Sequence, residues 1–364
     1  MSSPVTLKQI AESTGVSVTT VSRALNGHVD KYRISARTVA AVVEAANKLS
    51  FRPNEVARGL RRQRSGLVGV IVPDLASPFS TGIVGEVTAQ ARQHGYAVLL
   101  ADSQRETAQE AELLNHLISR QVEGLILCPV GTSSEHLKPF IQQWTPIVQV
   151  DRCFLELPFA GVTSDHRQGA YLATRHLLDQ GHRRIGCAQG IPGTLPNEER
   201  VEGYRQAMRE FRVSVRKDWI QGDGFTPESG YAATKCLLER TPELTALFSF
   251  NALISLGVMQ AAAELGRRIP GDLSLIGFDE PPYVNYLATP LCTVNQDVRQ
   301  LGRQAFDVLV GQINDRKNVS GANGRSHRIS KPSQPKPAKR PRRATIHRVP
   351  VEVKIRVSVA SRRD

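Results

Sequence analysis

The sequence predicts a small all-α helix-turn-helix headpiece with a hinge helix, joined to an α/β core of two Rossmann-like lobes. Three observations predict it. The first fifty residues carry short amphipathic helical patterns broken by turn residues, and Pro53 interrupts them. From residue 67 onward, short runs of Val, Ile and Leu alternate with helical stretches. The chain has 364 residues, 40% of them hydrophobic, which is enough for two or three compact units. The expected division is 1–52 for the helix-turn-helix domain, 53–65 for the hinge helix and linker, 66–317 plus 346–360 for the core, and 318–345 for a disordered basic insertion.

In the headpiece, TLKQIAESTGVSVTTVSRALN (6–26) reads as two helices around a turn at Gly15. Thr6 and Gln9 have capping-box spacing. Ala11, Gly15 and Val21 supply a small crossing residue, a glycine free to take positive φ, and a β-branched anchor for the second helix, Ser17 to Asn26. In such a unit the second helix meets base edges in the major groove, and nearby hydroxyls and amides hold phosphates. Val18 suits a thymine methyl, Thr19 several bases, and Arg23 a bidentate contact to guanine. Thr6, Ser17, Thr20, Ser22 and Asn26 complete the candidate DNA-binding set there. A small helical bundle without a ligand is the alternative. A third helix, Ser35 to Leu49, carries an apolar stripe of Val39, Val42, Val43, Ala46 and Leu49. In FRPNEVARGLRRQRS, Asn54 can cap a helix from Glu55 to Arg62 that is too short to persist alone. Arg58, Arg61 and Arg62 suit phosphates, and Leu60, with no core to enter, suits a wedge between base steps in the minor groove. A floppy basic linker is the alternative.

Seven apolar runs suit parallel strands buried between helices: 67–72, 97–101, 124–128, 147–150, 185–188, 246–250 and 273–277. That is enough for two sheets, a core of the kind found in periplasmic sugar-binding proteins. Ligands in such folds bind beyond the carboxyl ends of the strands. Asp74, Ser77, Asp151, Arg152, Asn251 and Asp279 lie there. No phosphate loop, HExxH or GxSxG motif is present, so the sequence points to no catalytic residue, metal or cofactor. His166, His176 and His182 are scattered and read as structural or exposed. The five cysteines are far apart and read as buried free thiols. The polar N-terminus and the lack of a long apolar run lead us to expect a cytoplasmic protein without a membrane segment.

The formal charge of +13 is unevenly spread. Residues 1–65 hold 11 Lys/Arg against 4 Asp/Glu, residues 66–315 hold 21 against 28, and residues 316–364 hold 15 against 2. A mildly acidic middle between basic ends suits a metabolite-binding core attached to a part that meets a polyanion. For the C-terminal block, a solvated basic tail is the alternative.

An ordered chain of motifs then narrows the reading: TLKQIAESTGVSVTTVSRALNG, NKLSFRPNEVARGLR, SPF (77–79), RQVEGLIL (120–127), GHRRIG (181–186), ERVEGY (199–204), FTPESGY (225–231), SLIGFDE (274–280) and TPLCTVNQ (289–296). Nearly the whole chain resembles the LacI family of repressors. The loop NGHVDKYRIS resembles that of the fructose repressor branch (FruR/Cra). The resemblance implies a transcription regulator of carbohydrate genes, not an enzyme. It also implies a homodimer on a pseudo-palindromic double-stranded operator and a sugar or sugar-phosphate effector between two lobes crossed three times by the chain. A cytosolic sugar-binding protein without DNA regulation is the alternative. Carried over by motif, Phe79 and Ser80 line one wall, Asp151 and Asp165 lie near the opening, and Arg200, Asn251 and Asp279 come from the second lobe. Gln296 lies on a crossover. Where the family has Asn-Asp, this chain has Asn251-Ala252. The lost carboxylate favours an anionic effector, or reflects repacking around the site. HRVPVEVKIRVSVA (347–360) resembles the last strand of the family core.

Overall fold

In the computed structural model, residues 5–27, 29–51, 64–323 and 345–362 are described, and the side chains of 317–323 are not. The chain divides into two units, Met1–Ser65 and Gly66–Asp364. In the first, α1 (Leu7–Thr14), α2 (Val18–Leu25) and α3 (Ala36–Lys48) surround Ile10, Ala11, Val21, Ala24, Val42 and Ala46. The capping box at Thr6 forms, and Gly15 ends α1 at φ 68°. Ser35 caps α3 as its spacing predicts. The expected α3 stripe is too broad, because Val43 and Leu49 are exposed. Three short helices enclose one small core, so α3 buries only a narrow face around Val42 and Ala46, and Val43 is rotated about 100° from Val42.

The second unit holds two six-stranded sheets. The first has the order β11-β5-β4-β3-β1-β2 and the second β12-β10-β9-β8-β6-β7. The first-lobe strands are β1 (Leu67–Val72), β2 (Ala97–Asp102), β3 (Gly124–Leu127), β4 (Ile147–Val150), β5 (Ala160–Ser164) and β11 (Ile346–Val349). Those of the second lobe are β6 (Ile185–Ala188), β7 (Ile220–Gln221), β8 (Ala246–Ser249), β9 (Ser274–Phe278), β10 (Cys292–Gln296) and β12 (Val351–Lys354). Every pairing is parallel except β10 with β12. Helices α4 (Pro78–Gln93), α5 (Thr107–Ser119) and α10 (Val298–Asn323) belong to the first lobe. Helices α6 (His166–Asp179), α7 (Leu195–Glu210), α8 (Pro227–Arg240) and α9 (Ala252–Glu264) belong to the second.

Apolar side chains on both faces of the first sheet form separate clusters, one including Ile83, Val87, Phe306 and Leu309 and the other Leu114, Leu117, Leu137 and Phe140. A single larger cluster fills the second lobe around Tyr204, Phe248, Phe250 and Phe278. The predicted burial on both faces fails for β2, an edge strand on which Leu100 is exposed. Of the five described strands outside the seven apolar runs, β11 and β12 lie in the segment expected to hold the last strand, and β5, β10 and β7 were not expected. In AGVTS (160–164) the small Gly161 is required, because a Cβ there would meet Cys153 Sγ at 2.7 Å and Ile346 at 2.8 Å. CTVNQ (292–296) is half polar, and β7 has only two residues.

The chain crosses between lobes at 164–166, 296–298 and 349–351. The third crossing corrects the expectation of one C-terminal strand. Pro350 has no N–H to donate to a ladder, and on either side of it the chain enters different sheets. Helix α10 also runs to Asn323, so 318–323 extend a helix rather than begin a disordered insertion. Residues 324–344 lie outside the described residues. Four cysteines are buried, and Cys236 is half-buried. No described helix is long and apolar enough to cross a membrane.

Candidate nucleic-acid interface and ligand cleft

In the headpiece, α2 begins at Ser17, whose hydroxyl accepts the Thr20 N–H at 3.0 Å and pairs with the Thr20 hydroxyl at 2.8 Å. Both hydroxyls therefore take part in the cap while keeping capacity for a further hydrogen bond. Just beyond it Val18 and Thr19 project into solvent, Val18 at 43% exposure. Arg23 lies with its guanidinium carbon 3.7 Å from the centroid of the Tyr32 ring, on the turn Asp30–Tyr32. Stacking restricts the arginine before any ligand arrives, and the sequence pattern did not identify Tyr32. At the other end of α2, Asn26 donates to the Ser22 carbonyl at 2.6 Å. Asn54, Arg58, Leu60 and Arg61 lie outside the described residues.

Between the lobes of the second unit lies a cleft partly open to solvent. Phe79, Ser80, Asp151, Arg200, Asn251, Asp279 and Gln296 all line it. Asp165 does not. Its carboxylate accepts the Gln168 N–H at 3.1 Å and caps α6 at the first crossing, so its expected place near the opening is corrected. The cleft also takes in Asp74, Arg105, Arg152 and Phe225. Arg105 follows β2 and Phe225 begins a family motif; asking what lies beyond each strand would have found Arg105.

The two lobes repeat one device. Asp151 after β4 and Asp279 after β9 both have positive φ, 67° and 76°. Each backbone N–H donates at 2.9 Å to a neighbouring strand, Asp151 to Val162 and Asp279 to Val294. Non-glycine residues seldom take this conformation, at a cost of about 1–2 kcal/mol, and such strain collects at ligand sites. It turns both carboxylates into the cleft.

Arg200 on α7 lies between them, almost fully buried. It donates to the Phe250 carbonyl, contacts His166 Nδ1 at 3.2 Å, and stacks 3.8 Å from the Phe278 centroid. Burial and the Arg200 charge push the His166 imidazole down, so it is neutral near pH 7. His166 is thus no stray histidine but part of the floor under Asp151, 3.4 Å from Oδ1. Burial raises the Asp151 carboxyl, but His166, Arg200 and Arg152 outweigh it and hold the group below the usual range. For Asp279 burial prevails over Arg200, Gln296 and the Ala252 N–H, and its pKa is raised. Among the buried side-chain polar atoms without a hydrogen-bond partner within the described residues are Asp151 Oδ1, Arg200 Nε and Gln296 Oε1. Buried polar atoms are rarely left so, and all three belong to cleft residues.

At the mouth, Arg105 pairs with Asp74 at 2.7 Å and donates to the Phe225 carbonyl of the other lobe at 3.3 Å. The Phe225 ring also lies 5.0 Å from the guanidinium carbon of Arg152. An aromatic face, carboxylates, an amide and guanidiniums around one space suit a polyol, whose C–H faces stack and whose hydroxyls both donate and accept.

Comparison with known proteins agrees. Residues 6–54 match the family described as "Bacterial regulatory proteins, lacI family". Residues 65–336 match "Periplasmic binding proteins and sugar binding domain of LacI family". The chain is 35% identical over 309 residues to the ribose operon repressor of Halalkalibacterium halodurans, covering 85% of this chain and 90% of that protein. It is 33% identical over 319 residues to the HTH-type transcriptional repressor PurR of Haemophilus influenzae, covering 85% and 91%. A crystal structure of the lac repressor dimer bound to operator and the anti-inducer ONPF superposes with a TM-score of 0.80 at 25% identity, covering 98% of this chain and 100% of that one.

Proposed function

Because the chain belongs to the LacI family and is a DNA-binding repressor of metabolic genes under small-molecule control, not an enzyme, we propose that its effector is a neutral monosaccharide held between the lobes. The charge balance of the cleft supports this choice. Arg105, Arg152 and Arg200 face Asp74, Asp151 and Asp279, and His166 below them is neutral. A phosphate ester needs a surplus of cations or free amides, and these guanidiniums already have carboxylate countercharges. The loss of a carboxylate at Ala252 does not change the balance. This residue opens α9, is buried, donates its N–H to Asp279 at 3.2 Å, and lines the adjoining pocket beside Asn251 and Asp279 rather than the space among the three guanidiniums. The likeness to a ribose operon repressor favours a pentose.

On the DNA side, the proposed reading helix is α2, with Val18, Thr19 and Arg23 on bases. Thr6, Ser17, Thr20, Ser22, Asn26, Asn54, Arg58 and Arg61 serve the backbone, and Leu60 is the minor-groove wedge. The likeness of 26–35 to the fructose repressor branch rests on that loop, whose turn carries Tyr32. We place the working form in the cytoplasm as a homodimer on a pseudo-palindromic operator; the lac repressor was crystallised as a dimer bound to operator. Effector binding would then bias one arrangement of the lobes and alter operator affinity through 53–65, a coupling of about 1–3 kcal/mol.

Calorimetric titration with free pentoses and hexoses and their phosphate esters, followed by operator binding at fixed salt, tests the reading. A free sugar should bind at least about tenfold more tightly than its ester and shift operator affinity. Tighter binding of the ester would overturn the choice.

A further inference from the structure

A phosphate is out of place in the cleft, where guanidiniums and carboxylates balance, but the carboxyl end of α7 offers what it needs. We infer that the groove formed by the last turns of α7 and the segment 212–217 is a second ligand site, which takes a small polyanion carrying two phosphate groups. One stretch of chain lines it: Arg205 and Arg209 from α7, then Arg212, Arg216 and Lys217 around Val213, Ser214 and Val215. No carboxylate lines it. Arg205 and Arg209 lie one turn apart on the same face, a like-charge spacing that by itself weakens a helix.

The acidic residues of α7 do not relieve this charge. Glu202, Gln206 and Glu210 form a neighbouring row that α6 occupies: Glu202 pairs with Arg167 at 3.5 Å, Gln206 accepts from Arg167 at 3.0 Å, and Glu210 accepts the Tyr171 hydroxyl at 2.7 Å. Arg216 has its own countercharges, Asp218 at 2.5 Å and Glu243 at 3.1 Å. Among the described residues the side chains of Arg205, Arg209, Arg212 and Lys217 make no hydrogen bond or ion pair, and all four are exposed.

These cations are not needed to finish the helix. The Arg212 N–H donates to the Arg209 carbonyl and the Val213 N–H to the Met208 carbonyl, both at 2.9 Å, which satisfies the helix end with backbone alone. Arg205 also precedes the last turn, over which the helix dipole acts. Arg212 itself has φ 57°, at a position that favours glycine. A phosphate therefore meets four uncompensated cations, with the Ser214 hydroxyl and the unpaired Ser214 and Val215 N–H groups beside them. One phosphate monoester carries a charge of about −1.5 to −2 at pH 7, so two phosphate groups match four cations. Guanidiniums take such oxygens in pairs. Because a single short stretch makes the whole site, it suits a small molecule rather than a polymer backbone.

The test is calorimetric titration of the full chain with inorganic pyrophosphate and with orthophosphate at fixed salt. Wild type should bind pyrophosphate in a saturable step at least about tenfold more tightly than orthophosphate. Arg209→Gln combined with Arg212→Asn, a residue tolerant of positive φ, should weaken pyrophosphate by about tenfold or more, the factor that goes with one lost charge-assisted hydrogen bond. Arg92→Gln combined with Arg120→Gln removes equal charge from exposed positions on the first lobe and should change the affinity by less than about twofold. If the groove pair does not fold, Arg205→Gln combined with Lys217→Gln replaces it, with the same expected loss. A wild type that takes no pyrophosphate, a groove pair that binds it unchanged, or equal weakening in the groove and control pairs overturns the inference. So does a groove pair that loses affinity for random duplex DNA and not for pyrophosphate, since the surface then serves a polymer.

Discussion

Replacing Arg105 by alanine should loosen the closed cleft without unfolding either lobe. The guanidinium donates hydrogen bonds to both lobes, to Asp74 in the first and the Phe225 carbonyl in the second. The ion pair is partly exposed, with side-chain exposures of 35% and 25%, so solvent screening limits it to about 0–1 kcal/mol. The bond to a neutral carbonyl adds about 0.5–1.5 kcal/mol when the lobes are together and nothing when they part. Only that second contribution separates open from closed forms. The variant should therefore release sugar about two- to tenfold faster, with an association rate changed by less than about twofold and a melting temperature within a few degrees of wild type. Stopped-flow displacement of bound sugar measures the first, and calorimetry the last. Arg105→Lys, which cannot serve both acceptors with one planar fork, should resemble alanine more than wild type. An unchanged dissociation rate in Arg105→Ala, with sugar still bound, would refute the bridge. A large fall in melting temperature would instead make Arg105 a structural residue.

Other outcomes follow from the same geometry. Arg23→Ala should lower operator affinity by about 1–3 kcal/mol and leave binding to random DNA nearly intact, and Tyr32→Ala, which removes the ring under Arg23, should do the same more weakly; equal losses on both DNAs would count against base reading. Burial lowers the pKa values of His166, His176 and His182, so below the ordinary histidine value of about 6.5 the unfolded chain binds protons that the folded core does not. Stability should thus be fully present above that pH and lost as pH falls through the window beneath it, and His166→Gln should make the fall in melting temperature between pH 7.5 and 5 shallower; a slope unaffected by that change would show that His166 takes up its proton without cost. Deleting 325–343, which holds eight Lys/Arg, should weaken operator and random DNA alike and flatten the salt dependence by up to about 0.9 log units for each phosphate group no longer neutralised, and an identical slope would make the segment a bystander.

The long β-branched runs announced their strands because both faces of a parallel sheet are covered. Strand β5 did not, since its place against Cys153 and Ile346 demands small residues that look like a loop. The cleft residues were legible through motif and strand-end position together, which found seven of the eight lining candidates. Asp165 misled because an acidic residue before a helix signals a cap as readily as a ligand contact. His166 escaped because it acts through Asp151 and Arg200, and no local pattern marks a partner brought from another element. Tyr32 was hidden for the same reason: its use depends on where a turn places its ring.

The split of the C-terminal segment at Pro350 also bears on how the protein is made. β11 pairs with β5 and β12 with β10, so both sheets receive an edge strand from the end of the chain. Neither lobe is contiguous in the sequence, and a nascent chain holds two unfinished sheets, each with an open hydrogen-bonding edge, until residues 346–354 have been made. Such edges invite pairing between neighbouring chains on one messenger. Because α10 and β11 both belong to the first lobe, the extra residues between them prolong that exposure without stretching any connection from one lobe to the other. Time spent translating this stretch therefore adds to the period in which both edges stand open.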